Sequence, residues 1–222
     1  GRAAPGHFRY GSNQDAGNHG LDQRIKHRPP LVRKRTALVK PFISQGKTSR
    51  AISLYDISVG SYLQIVGAFE GVLAKGLEHF KANNIDPNEI VESRMIADML
   101  PFKFQVAAVA QHSLGAIKGI QSGLFTPPSE IPPDYAGLQK LIADTHAGLK
   151  ALTPAEVNAC EGRDVLFQMR NFKIPFVAEG FIQSFSLPNL HFHATTAYDI
   201  LRMKGVKLGK QDYLGAMRIK GQ

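Results

Sequence analysis

The chain has 222 residues, 43% of them hydrophobic, with no tryptophan and a single cysteine, Cys160; this is enough for one globular domain with a small addition, and it excludes a disulfide framework or a CxxC zinc site. The formal charge of +9 sits at one end: residues 1–50 carry 11 Lys and Arg against Asp15 and Asp22, whereas residues 51–222 carry 16 of each sign. A charge-balanced folded part excludes nucleic acid as its expected partner, and no run of 18 apolar residues points to a membrane.

Residues 1–51 form a basic extension rich in Gly, Pro, Asn and Gln, a composition that predicts disorder. Because the first methionine is Met95, the expectation is a processed or fragmentary chain in which this extension is non-native flanking sequence, a mitochondrial targeting segment or a basic arm. Without a targeting role for residues 1–50 the expected location is cytoplasmic, which also suits the lone thiol.

From residue 52 to 222 the sequence reads as one helical domain. Tyr62, Ile65, Val66, Phe69, Val72, Leu73, Leu77 and Phe80 recur at spacings of three and four, predicting a helix over about 59–83. A short helix follows, with Asp86 as cap, Pro87 at its first position and Glu89 closing a capping box. Asp98 is the expected N-cap of a second long helix that carries Pro101 in its first turn and ends near Ser122.

The prolines of "LFTPPSEIPPD" mark a loop, and Leu138, Leu141, Ile142 and Leu149 line one face of a third long helix. Thr153 and Glu156 repeat the capping logic for a helical turn. In "DVLFQMRNFKIPFV" Val165, Phe167 and Met169 alternate with more polar neighbours, which predicts a β-hairpin turning at Asn171. A last long helix is predicted over about 189–204, stopped by Gly205.

That last helix raises the functional question. "LPNLHFHATTAYDILR" is free of charge from Leu187 to Tyr198 yet holds His191, His193 and two threonines. Helical spacing puts His193 on one face with Leu190, Ala197, Ile200 and Leu201, and puts His191, Thr195, Tyr198 and Arg202 on another. On the second helix His112 lies in line with Gln105, Ala108, Val109 and Ala116. Two inward histidines from two helices are therefore expected to meet. No GxGxxG, P-loop, GxSxG or HExxH is present.

"ISLYDISVGSYLQ" (52–64), "RMIADMLPFKFQV" (94–106), "AQH" ending at His112 and "LPNLHFHATTAYDILRMKGVKLGKQDYLG" (187–215) resemble the branch of the DinB-like superfamily found in bacteria and fungi and known mainly as a domain of unknown function. The resemblance implies an all-α, DinB-like four-helix bundle, here with a small inserted β-hairpin, commonly a homodimer. In better known relatives three histidines bind a divalent metal that activates a thiol or water. By position, His112 matches the first of these and His193 one member of an HxxxH pair whose second position is Ala197. A third ligand to Zn, Ni or Fe would then be His191, Asp98 or Tyr198.

Two function classes follow. One is a metal- or histidine-dependent enzyme acting on a small organic or thiol-conjugated substrate in a pocket lined by His112, His193 and Tyr198. The other is a non-catalytic dimeric bundle that binds a small apolar ligand or a protein partner and uses these groups as internal polar contacts.

Overall fold

A computed structural model describes residues 51–220, and the expectations for the basic extension lie outside the described residues. Helix α1 (Leu54–Ile57) starts at a reciprocal capping box between Ser53 and Asp56. It leads into α2 (Val59–Ala82), whose stripe Tyr62, Ile65, Val66, Phe69, Val72, Leu73 and Phe80 is buried as its periodicity predicts. The run Leu54–Ala82 is long and apolar enough to cross a membrane, but that stripe is used inside the core.

A single 3₁₀ turn, Pro87–Ile90, replaces the expected short α-helix; Asp86 accepts from the Asn88 amide. The second long helix also differs from expectation. Pro101, not Asp98, occupies its N-cap position, and Asp98 stands exposed in the preceding turn. The ring of a proline disfavours helical dihedrals in the residue before it, which discourages the helix from starting at or before Leu100. The helix then runs as α3 (Phe102–Ala110), a π-helical turn (Gln111–Gly115) and α4 (Ala116–Ser122). Gly123, at φ 81° in the left-handed region, ends α4 and redirects the chain.

Leu124–Phe125 forms β1, a strand in a stretch expected to be loop throughout. It lies parallel to β2 (Asp164–Met169), with Phe125 opposite Phe167. β2 and β3 (Phe172–Val177) make the predicted antiparallel hairpin, turned by Arg170 at φ 54°. Pro175 lies in β3, an edge strand of the order β1-β2-β3, where its missing amide interrupts no ladder.

Between the strands come α5 (Tyr135–Ala151), capped by Asp134, and α6 (Pro154–Asn158), which has the predicted Thr153–Glu156 box. After β3 the chain forms α7 (Ala178–Phe181), a second π-helical turn (Ile182–Ser186), α8 (Leu187–Met203) and α9 (Lys210–Leu214). Pro188 in the first turn of α8 has a ring that would crowd the Ser184 carbonyl of a regular helix, which is a cause for the wider turn just before it.

The protein is mostly helical with a small three-stranded sheet. α3 lies against α5 and α8, and α2 against α5, α8 and α9. One continuous apolar core joins the helices to the sheet through Phe125, Val165, Phe167 and Phe181.

Candidate functional site

The two π-helical turns face each other at the place where the sequence expects the histidines to meet. His112 lies in the first and Ser186 closes the second. A π turn shifts the hydrogen-bond register and frees main-chain carbonyls, which must be satisfied some other way. Ser113 Oγ donates to the Val109 carbonyl at 2.7 Å, and Ser186 Oγ donates to the His112 carbonyl at 2.8 Å. With its hydrogen committed, Ser186 Oγ is the acceptor for the Tyr62 hydroxyl at 2.8 Å. Tyr62 and Ser186 are wholly buried, and burial holds the Tyr62 hydroxyl well above the usual phenol range. This chain from α2 through the second π turn fixes the backbone that carries His112.

The His112 and His193 rings lie nearly parallel, 5.7 Å between centroids. His112 is also flanked by Phe125 at 5.1 Å and Phe185 at 5.5 Å, and is buried. Its Nδ1 has no hydrogen-bond partner. His193 is half-buried, edged by Phe104 and Phe192, and its Nδ1 meets Gln105 Oε1 at 2.7 Å. Burial among aromatic rings disfavours the charged form of both. It lowers the His112 pKa to about 3, assisted by repulsion from His193, and the His193 pKa to about 4. The site therefore holds two neutral imidazoles.

The other residues that the sequence points to lie elsewhere. His191 Nδ1 pairs with the Tyr213 hydroxyl at 3.0 Å, and Tyr198 sets its ring edge on Tyr213 at 6.3 Å. Both belong to the face of α8 turned toward α9. Asp98 is exposed on its turn, and Ala197 is buried in the core. His146, half-buried on α5, contacts Glu70 Oε2 at 2.8 Å and joins α5 to α2. Cys160 is buried with a weak contact to the Glu156 carbonyl.

Gln105 is the site residue that sequence reasoning passed over. It stands on the same stripe as His112, a lone amide among small apolar residues, and that isolation was its only signal. A catalytic zinc takes three protein ligands. His112 and His193 supply two nitrogens, and no group of three or more His, Cys, Asp or Glu side chains is placed to hold an ion among the described residues. The donor set falls one short.

The described residues thus form a mostly helical core with a small three-stranded sheet, and two imidazoles pair within it. Residues 54–214 match the family described as a domain of unknown function, DUF1993, and the chain belongs to that family. A crystal structure of a DinB family member protein from Shewanella denitrificans has the same fold, with a TM-score of 0.62 at 24% identity, covering 76% of this chain and 96% of that one. Nothing among the curated proteins matches the chain.

Proposed function

We propose that the protein is an enzyme acting on a small organic or thiol-bearing substrate, with His112 and His193 as neutral acceptors for a substrate proton. The observation that carries this reading is the orphaned Nδ1 of His112 beside a half-buried second imidazole. Leaving a buried polar atom unpaired costs about 1–3 kcal/mol, a cost that a ligand removes by supplying the partner. Low pKa values keep both rings unprotonated at neutral pH, so they are available to accept a hydrogen bond from a group that carries its own hydrogen, such as a thiol.

A divalent ion is the alternative occupant. Two neutral nitrogens would hold it and the substrate would complete its shell. The finer fold reading, a four-helix bundle of α2, α3 with α4, α5 and α8, belongs to this proposal and is supported by the packing of these helices on one core.

The test is elemental analysis of untagged protein and of the His193→Ala variant, with melting temperatures recorded across a panel of small thiols and of Zn, Ni and Fe salts. The expected result is no stoichiometric metal, with a thiol-induced shift in the native protein that the variant loses. A stoichiometric ion lost in the variant would redirect the reading to metal-assisted chemistry. A large loss of stability without any ligand effect would make the pair structural.

A second reading, the homodimer, is favoured by the exposed apolar side chains of Phe192, beside His193, and of Leu100, just before α3. Sedimentation at increasing protein concentration decides it, with twice the monomer mass as the expected value.

A further inference from the structure

We infer that Gln105 is a positioning residue that locks His193 in its Nδ1–H form, so that Nε2 is the atom offered to a substrate. The inference rests on the proposed histidine site for its use, and on hydrogen-bond chemistry for its truth. Gln105 is buried on α3, one turn into the helix. The nitrogen of its amide lies 2.8 Å from the main-chain carbonyl of Leu100. A carbonyl only accepts, so the amide group turned toward it is the NH2 end. The oxygen of the same amide must then face His193, whose Nδ1 is 2.7 Å away. That oxygen also only accepts. The ring nitrogen between them therefore carries the hydrogen, and in a neutral imidazole the other nitrogen keeps its lone pair.

The Leu100 carbonyl is well suited to this task because it belongs to the non-helical residue just before Pro101, the N-cap position of α3. It is main chain, so no rotamer change can reverse the assignment. The backbone of one segment thus dictates, through the Gln105 amide, the proton position on a ring 88 residues along the chain from that amide. The functional consequence is directional. The site receives a hydrogen-bond or proton donor at His193 Nε2, and a ligand that offers only acceptors there finds a lone pair.

The experiment is two-dimensional 15N NMR of the histidine rings in the full chain labelled at histidine, at neutral pH, on native protein, Gln105→Met and Gln105→Glu. In native protein His193 should show a protonated Nδ1 and an unprotonated Nε2. Gln105→Met keeps the side-chain length and removes both polar ends, so His193 should shift toward the Nε2–H form. Gln105→Glu can still accept from His193, and should retain the native pattern. A native His193 found as Nε2–H overturns the inference at once, even if neither variant folds. An unchanged pattern in Gln105→Met would also overturn it. None of these readouts depends on a ligand or metal, so the inference and the enzyme reading can fail separately.

Discussion

His112 and His193 are held neutral by burial among the aromatic rings around them, and this makes stability depend on pH. An unfolded histidine takes up a proton near pH 6.5. The folded His112 resists protonation to about pH 3 and His193 to about pH 4. Below roughly pH 6.5 the unfolded chain therefore binds more protons than the folded one, and stability falls as the pH falls. Above that value both states are neutral and the contribution is present in full. Between roughly pH 6 and 5 each ring adds a slope of up to about 1.4 kcal/mol per pH unit, so the pair together adds up to about 2.7. Urea unfolding at a series of pH values should show that decline, and a His112→Phe, His193→Gln double variant should lose most of it. Equal slopes in the two proteins would mean that the rings take up protons in the fold as readily as in the unfolded chain. That the two rings would meet was legible from helical spacing alone. Their state of protonation was not, because Phe104, Phe125, Phe185 and Phe192 reach them from four separate segments of the chain.

At the scale of elements, local capping was legible at most helix ends, with Asp98 the exception, and register was not. Thr153 with Glu156, and Gly205 after the last helix, could be read directly because a cap is decided by residues within a turn of one another. The π turns at Gln111–Gly115 and Ile182–Ser186 were invisible, since widening a turn alters the register without altering the composition. Strand β1 was hidden for a related reason: two residues gain strand character only through pairing with β2, some forty residues later. The contact of α2 with α5 gives a sharper case, since Gly76 leaves room for the Tyr135 hydroxyl, which donates to the Leu73 carbonyl at 2.8 Å. A Cβ at position 76 would collide with that hydroxyl and crowd Leu201 at 3.1 Å. Alanine is the better helix former in isolation, yet here the collision decides the sign. Gly76→Ala should destabilise the protein by about 1–3 kcal/mol, the usual cost of overpacking. A Gly76→Ala, Tyr135→Phe double variant should recover part of the loss, and chemical denaturation of the three proteins checks both statements.

Across the whole molecule, the sheet and the helices share one aromatic joint rather than two separate cores. Phe125 of β1 lies 5.1 Å from the His112 ring, 5.0 Å from Phe181 and 6.2 Å from Phe167. It is buried beside Gly119 of α4, whose missing side chain lets the strand approach. One residue thus touches the π-helical site, the hairpin and the helix leading into α8. If this joint couples the parts, loosening it cannot melt the sheet alone. Phe125→Ala should cost about 3–5 kcal/mol, as expected for truncating a wholly buried phenylalanine. Its unfolding should remain a single transition, coincident for helix content by far-ultraviolet circular dichroism and for side-chain packing by tyrosine signals, which are unobscured because the chain has no tryptophan. The same substitution removes one wall of the His112 environment and admits water, so the His112 pKa should rise from about 3 toward its ordinary value. The described tyrosines all lie on helices, so two separated transitions, with the strand band in the infrared amide spectrum lost before the tyrosine signal, would show the sheet to be an independent unit and the His112 site to be held by the helices alone.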